Sequence, residues 1–193
     1  MKALFVKYKS VIQFILTFLM VYFVLTLSYK LYLDNSEGLA YYPDYLTYQV
    51  AEQTNALLDA FGYETDTFPH PDEASIQLIV NDYYVARIIE GCNSVSIIIL
   101  FVAFIIAFSG GLKATLVYLL VGGLLIYIVN LARIALLAVG LYQYPEHSGF
   151  LHSVVFPGII YGMVFLLWMF WVNRFSTINK QHKKEILNTT DEL

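Results

Sequence analysis

Residues 91–141 read GCNSVSIIILFVAFIIAFSGGLKATLVYLLVGGLLIYIVNLARIALLAVGL, and this stretch decides the fold. Its charged side chains are Lys113 and Arg133 alone. An unbroken apolar run covers residues 95–109, extended by residues 91–94 before it, and a longer apolar run covers residues 112–141. A membrane-crossing helix needs about 20 mostly apolar residues. The stretch therefore predicts two consecutive transmembrane helices joined by the tight turn at residues 110–113.

Two further apolar runs lie on either side of this pair. Residues 11–33 are interrupted by Gln13 and Lys30, and residues 150–172 form the last run. The first run is longer than the apolar core of a signal peptide and no small-residue cleavage site follows it, so we expect a retained anchor. With 59% apolar residues, 13% charged residues and a mean hydropathy of +0.63, we predict an all-α polytopic membrane protein with about four transmembrane helices.

Several classes of chemistry are disfavoured by the sequence. The chain has one cysteine, Cys92, so it can form neither an intramolecular disulfide nor a cysteine-based metal cluster. No P-loop, GxGxxG or HExxH pattern occurs, which argues against the commonest nucleotide and zinc sites. We expect no cofactor, no metal and no nucleic-acid partner.

The basic residues predict the orientation. Eight of the eleven fall on one side of a four-span arrangement, and cytoplasmic loops are the ones enriched in Lys and Arg. These eight are Lys2, Lys7, Lys9, Lys113, Arg174, Lys180, Lys183 and Lys184. Segment 34–90 carries eleven acidic residues and the single basic residue Arg87. We therefore expect both termini in the cytoplasm and segment 34–90 outside.

This orientation divides the chain into four parts. We predict a cytoplasmic N-terminus with the first anchor (1–33), an extracytoplasmic segment (34–90), a three-helix transmembrane catalytic core (91–175) and a polar cytoplasmic tail (176–193). Within segment 34–90, residues 43–61 have an amphipathic pattern with Pro43 in the first turn of a helix. Residues 62–72 suggest a turn-rich connector, and residues 75–80 and 83–89 flank Asn81-Asp82 as a β-hairpin.

Three polar residues are predicted to lie at one depth. Cys92 precedes Lys113 by 21 residues and Arg133 follows it by 20, so both lie roughly 30 Å above the cytoplasmic turn. His152 precedes Arg174 by 22 residues and lies about 33 Å above that end. Each has an ordinary alternative: a packing cysteine, an arginine that reaches lipid phosphates and an interfacial histidine. His147, in the short loop before the last span, competes with His152.

A cysteine, a histidine and an arginine at one level suit nucleophilic catalysis. The thiolate is the attacking species, and His152 would take its proton and later give one to a leaving amine. Arg133 stays protonated, so its task would be to stabilise the thiolate or the oxyanion of a tetrahedral intermediate. Candidates for orienting the site are Glu90 and Asn93, beside the cysteine, and Asn130, one turn before Arg133.

The sequence resembles the exosortase/archaeosortase family of membrane transpeptidases over about residues 75–175. The likeness consists of Glu90-Gly91-Cys92-Asn93-Ser94 opening a span, Asn130-Leu131-Ala132-Arg133-Ile134 late in the next, and Leu151-His152 opening the last. Cys, Arg and His in that order, each at an outer helix end, is the family's catalytic pattern. Many relatives carry a small pair such as Ser-Gly after the cysteine and have more spans, whereas this chain has Asn93-Ser94 and looks like a short branch.

The resemblance implies a sorting enzyme in the cytoplasmic membrane whose active site faces outward. It assigns Cys92 as the nucleophile, His152 as the acid/base and Arg133 as the stabilising cation. The implied substrates are exported proteins with a C-terminal recognition motif, a hydrophobic span and a basic cluster. The enzyme would cut at the motif on the outer face of the lipid bilayer and pass the new C-terminus to an acceptor of unknown identity.

Three alternatives remain open. A thiol-dependent interfacial protease without transferase activity would use the same residues. A non-enzymatic membrane scaffold or assembly factor would use segment 34–90 for docking and would not need Cys92. Transport of a small solute is disfavoured, because transporters typically have internal repeats and interrupted helices at mid-membrane.

Overall fold

A computed structural model of the chain describes residues 8–36, 41–108 and 111–174, apart from the side chains at positions 147, 148, 151, 152 and 156. The principal elements are α1 (Lys9–Asp34), α2 (Tyr45–Ala60), β1 (Thr65–Pro69), β2 (Ile76–Val80), β3 (Tyr83–Ile88), α3 (Val95–Ala107), α4 (Leu112–Gln143) and α5 (Phe156–Arg174). Short helical turns precede α3 (Glu90–Cys92) and α5 (Pro145–His147, Ser148–Phe150, Leu151–Val155). The predicted tail 176–193 and the lysines at positions 2 and 7 lie outside the described residues.

The helices confirm the prediction of a mostly helical, polytopic membrane protein. Among the described residues, three helices are long and apolar enough to cross a membrane: Lys9–Asp34, Leu112–Gln143 and Ser153–Arg174. The predicted second span is the apolar helix α3, which has 13 residues. At 1.5 Å per residue it is about 20 Å long, against a hydrocarbon core of about 30 Å. The count of four spans therefore stays a prediction.

The start of α3 differs from the sequence prediction. Residues 91–94 were expected to extend this span, but they form no part of the helix, which begins at Val95. Ser94 has a left-handed backbone with φ of 64°, a conformation that a helix interior cannot contain. The distance of Cys92 above the turn at Lys113 therefore cannot be obtained by multiplying its residue separation by the helical rise.

The membrane helices share one apolar core. Its fully buried members come from α3, α4 and α5, and they include Phe101, Ile126 and Trp171. The indole Nε1 of Trp171 donates a hydrogen bond to the carbonyl oxygen of Phe108 at 3.1 Å, so α5 holds the end of α3. Helix α1 packs on α3, yet none of its described residues is buried. Most of its surface therefore remains available for lipid.

Close packing between α3 and α4 depends on a glycine. A Cβ atom added at Gly122 would lie 2.4 Å from Cζ of Phe101, whose side chain is fully buried, so the ring or the helix would have to shift. We expect Gly122→Ala to lower the free energy of unfolding by about 1–3 kcal/mol through overpacking. The measurement is the thermal unfolding midpoint in detergent, with Gly123→Ala as the matched control because a Cβ there meets nothing within 4 Å. Equal midpoints for the two variants would contradict this packing.

The helix expected at residues 43–61 is present as α2, Tyr45–Ala60. The residue that starts it is Asp44 rather than Pro43. Its carboxylate accepts hydrogen bonds from the backbone N–H groups of Leu46 (2.9 Å) and Thr47 (3.0 Å), which is the usual role of an N-cap aspartate. Pro43 therefore lies before the helix and not in its first turn.

The predicted hairpin is present, but it belongs to a larger sheet. Strands β2 and β3 are joined by Asn81 and Asp82, both with positive φ, as two-residue hairpin turns of this kind require. The expectation of a connector at residues 62–72 was wrong, because β1 (Thr65–Pro69) lies there and pairs antiparallel with β2. The sheet order is β1-β2-β3.

A second apolar core joins segment 34–90 to the second half of α4. Val50 and Leu58 of α2 pack with Leu78 of β2, and α4 contributes Ile134 and Ala138 to the same cluster. With 32 residues, α4 is about 48 Å long, which exceeds the thickness of the hydrocarbon core. The end of α4 that carries Asn130 and Arg133 is therefore the end that supports segment 34–90.

Candidate active site

Cys92 lies in the turn that leads from the sheet into α3. Strand β3 ends at Ile88, and residues Glu90–Cys92 form a single 3-10 turn in which the N–H of Cys92 donates to the carbonyl oxygen of Ile89 at 2.8 Å. The thiol is free and half-buried, and the side chain packs against the core shared by α2, the sheet and α4. The cysteine is thus fixed at the junction between segment 34–90 and the membrane helices.

Asn93 anchors this turn to three elements. Its Oδ1 accepts a hydrogen bond from the N–H of Val95 (3.0 Å), which caps the first turn of α3. Its Nδ2 donates to the hydroxyl of Tyr29 in α1 (2.7 Å) and to Oγ1 of Thr47 in α2 (3.2 Å). Asn93 is only 2% exposed, and its three hydrogen bonds fix the backbone next to Cys92.

Ser94 follows Asn93 and directly precedes the first residue of α3. Its left-handed φ of 64° costs a residue with a Cβ some strain, and glycine adopts this region freely. The hydroxyl of Ser94 donates to the carbonyl oxygen of Asn93 at 2.6 Å, a contact that glycine would lack.

Asn130 links Cys92 to Arg133. Its Nδ2 donates to the carbonyl oxygen of Cys92 at 2.7 Å, and its Oδ1 accepts from Nε (3.2 Å) and Nη2 (3.0 Å) of Arg133. The two residues are three apart on α4 and therefore share a face. Asn130 is 2% exposed, so this amide is committed to the two contacts. The structure thus brings together Cys92, Asn130 and Arg133 from among the predicted site residues.

The guanidinium of Arg133 retains donors for a ligand. A guanidinium has five N–H donors, and Asn130 accepts two of them. In the part of the chain that the structure describes, the others have no hydrogen-bond partner. Arg133 is half-buried, so these donors lie where the shielding of charge by water is reduced. An anion near Cys92 is what such an arrangement would stabilise.

The other predicted site residues stand apart from this hydrogen-bond chain. Glu90 is exposed and lines a cavity against α1. His152 lies in the π-helical turn Leu151–Val155 that precedes α5, and this turn packs against α4. His147 ends the turn Pro145–His147. The side chains of both histidines lie outside the described atoms, so the pairing of Cys92 with His152 stays a prediction.

Two residues of the site were missed by sequence reasoning. Thr47 is fully buried on the apolar stripe of α2, one turn before Val50, where a polar side chain signals a hydrogen-bond partner. Tyr29 gave no comparable signal, because tyrosine is common near the ends of membrane spans. As for metals, the described residues contain no group of three or more His, Cys, Asp or Glu side chains that could hold an ion.

The long apolar helices, joined to segment 34–90 at the cysteine turn, define a multi-pass membrane protein. The family model described as transmembrane exosortase (Exosortase_EpsH) matches residues 3–171. The chain belongs to this family, which confirms the resemblance and supports a sorting transpeptidase at the level of the family. No curated protein and no solved structure matches the chain.

Proposed function

We propose that this protein is a membrane cysteine transpeptidase that cleaves C-terminal sorting signals of exported proteins. The observation that carries the proposal is the hydrogen-bond chain from the carbonyl oxygen of Cys92 through Asn130 to Arg133. It connects a cation to the backbone of the only cysteine in the sequence. A packing cysteine or an arginine directed to lipid would need no buried asparagine between them.

The reaction begins with transfer of the Cys92 proton to His152. The sulfur then forms a bond to the carbonyl carbon of the scissile peptide, and the negative charge that develops on the carbonyl oxygen is stabilised by the free N–H groups of Arg133. The C–N bond breaks, His152 returns the proton to the leaving amine, and the acyl group remains on Cys92 as a thioester. Water or an amine then attacks the thioester and releases the thiol.

The proposed orientation puts this chemistry at the outer surface of the cytoplasmic membrane. Both termini are cytoplasmic, residues 34–90 are extracytoplasmic, residues 91–175 are the catalytic core, and α3 completes a set of four spans. Support comes from the shared core of α2, the sheet and the second half of α4. Because Ile134 belongs to that core, Arg133 must lie on the same side of the membrane as segment 34–90.

Trapping the thioester tests the proposal without knowledge of the substrate. Membranes that contain the protein, and matched membranes that lack it, are incubated with hydroxylamine, a small nucleophile that converts thioesters to hydroxamates. Mass spectrometry then maps the C-termini of exported proteins. We expect a set of proteins that have lost a hydrophobic tail and end in a hydroxamate only where the protein is present. Identical C-termini in the two membranes would refute the proposal.

The role proposed for Asn130 is to position Arg133 and the Cys92 turn. We expect Asn130→Ala to lower kcat about 10- to 100-fold, because small displacements of reacting groups have effects of this size, while KM changes little. The measurement uses a reporter carrying a tail identified in the trapping experiment. Ile134→Val is the matched control, since it removes packing from the next turn of α4 without touching the hydrogen bonds. A similar fall in kcat for both variants would indicate a merely structural role.

A further inference from the structure

Strand β3 lies at the edge of the sheet, and its outer side is unpaired. The strand order is β1-β2-β3, and among the described residues the backbone of β3 forms hydrogen bonds to no element other than β2. Val80 and Tyr83 flank the two-residue turn and are therefore the hydrogen-bonded pair that closes the hairpin. Such pairs alternate with unbonded pairs along an antiparallel ladder, so the N–H and C=O groups of Tyr84 point away from β2. The edge thus offers a backbone donor and a backbone acceptor to a further strand.

The two edges of the sheet differ in their protection against strand pairing. Strand β1 carries the exposed Asp66 and ends in Pro69, and charged residues and proline are the usual means of blocking an edge. Residues 83–89 contain no proline and a single charged residue, Arg87, which forms an ion pair with Glu73. Strand β3 is therefore the edge that remains open to the addition of a peptide strand.

A cavity of about 580 Å³ lies between the first residues of β3 and the end of α4. Its lining is mostly aromatic and aliphatic, and it consists of Tyr83, Tyr84, Val85, Leu141, Tyr142 and Pro145. Val85 is the extra residue of a β-bulge, because it has no partner in the register between β2 and β3. Bulges occur frequently next to active sites, where they redirect a side chain. The cavity has room for at least one apolar side chain of a strand added along β3.

Strand β3 leads directly into the cysteine turn. It ends at Ile88, Cys92 follows four residues later, and α3 begins three residues after that, at Val95. A chain that lay beside β3 and continued in the same direction would therefore approach Cys92 before it reached the membrane. A sorting signal has this order of parts, because its recognition motif precedes its hydrophobic span. The motif and β3 would therefore run parallel.

We infer that the free edge of β3 binds the recognition motif of the substrate as an added parallel strand, with an apolar side chain of the motif in the cavity; the inference rests on the proposed function. Main-chain hydrogen bonds contribute the affinity, and the cavity selects the side chain. Successive backbone N–H groups of a strand point to opposite sides, so every second N–H group of the motif bonds to β3. This pairing fixes the register of the motif relative to Cys92.

The test uses the native protein and a synthetic reporter with an altered backbone. The hydroxamate experiment identifies a tail and its cleavage site. The residues before that site, over the six-residue length of β3, are replaced one at a time by their N-methyl forms, which lose the N–H group and keep the side chain. We expect KM to rise about tenfold at every second position, because one hydrogen bond is lost there. At the positions between, KM should change less than about twofold, and kcat should change little throughout.

A pair of substitutions at Tyr84 tests the same contact from the protein's side. Tyr84→Pro removes the outward N–H group, which takes no part in the ladder with β2, and an edge strand tolerates proline at such a position. Tyr84→Val is the matched control, since it also removes the ring but keeps the N–H group and suits a strand. We expect KM of Tyr84→Pro to be about fivefold higher than KM of Tyr84→Val, with similar kcat. Equal KM values would contradict pairing at this residue.

The outcomes separate this inference from the proposed function. If hydroxamates form but N-methylation affects no position, or affects all positions equally, the thioester chemistry stands and the inference is wrong. If the native protein is a dimer that Tyr84→Pro converts to monomers without a change in KM, the edge pairs two copies of the chain, and the inference is also overturned. If the protein forms no hydroxamate at all, the proposed function fails and the inference fails with it.

Discussion

Replacement of Cys92 by alanine should abolish removal of hydrophobic tails from exported proteins while the protein still folds and inserts. Loss of a catalytic nucleophile reduces turnover by about 10⁴- to 10⁶-fold in enzymes that form an acyl intermediate. The fold should tolerate the change because the bonds that shape the turn involve other atoms. They join the N–H and carbonyl oxygen of Cys92 and the side chain of Asn93, none of which the substitution alters.

The measurement compares cells that express the native protein with cells that express Cys92→Ala. Mass spectrometry maps the C-termini of membrane-held and secreted proteins in each, and we expect a set of proteins that keep the hydrophobic tail only in the variant. Cys92→Ser is the matched variant, since serine retains nearly the same shape but its hydroxyl is a far weaker nucleophile than the thiolate of cysteine. It should be equally inactive.

The opposite result would favour the scaffold hypothesis. If the C-termini are unchanged while both variants are inserted at native levels, Cys92 is a packing residue against the core of segment 34–90. Its half-buried side chain would then contribute only van der Waals contacts. The sorting activity implied by the family would not reside in this chain's thiol.

The sequence predicted the elements whose own residues determine them. Helix α2 has an amphipathic pattern whose residues Val50 and Leu58 are buried on one face, and the hairpin has Asn81-Asp82 between two apolar strands. Long apolar helices are also local properties, since they depend on composition over about 20 residues. These elements could therefore be predicted without knowledge of the segments that pack against them.

Strand β1 could not be predicted in the same way. Of its five residues only Thr65 is buried, so it shows no apolar alternation, and it ends in Pro69. It is an edge strand, and its pairing with β2 comes from the neighbour and not from its own sequence. The connector predicted there was a reasonable interpretation of residues that form a strand only in tertiary context.

Of the predicted site residues, the structure links Cys92, Asn130 and Arg133, and the sequence did not predict the hydrogen bonds that link them. The depth estimate assumed continuous helix from Cys92 to Lys113, whereas α3 begins at Val95 after the left-handed Ser94. On α4 the helix is continuous, so the three-residue spacing of Asn130 and Arg133 did predict a shared face. The contact of Asn130 with the backbone of Cys92 joins distant parts of the chain, and the residues around Asn130 or around Cys92 do not predict it.

Substitution of Arg133 should separate a catalytic guanidinium from one that merely contacts lipid. We expect Arg133→Gln to lower kcat about 10²- to 10³-fold, the usual loss for a donor that stabilises an oxyanion, with a much smaller change in KM. Arg133→Lys keeps the charge but cannot reproduce the planar fork that bonds Asn130 through Nε and Nη2, so it should recover only a small part of the activity. The measurement is turnover of the tail-bearing reporter.

Arg87→Gln provides the matched control, because Arg87 is an exposed arginine of segment 34–90 whose partner is Glu73 on the surface. Exposed ion pairs contribute little, so this variant should retain native kcat. An arginine that only reaches lipid phosphates would be replaced by lysine without loss, since a point charge satisfies a phosphate. Native turnover in Arg133→Lys would therefore show that charge alone matters, and native turnover in Arg133→Gln would remove Arg133 from the mechanism. A large loss in both, with Arg87→Gln unaffected, would mean that the reaction requires the guanidinium held by Asn130.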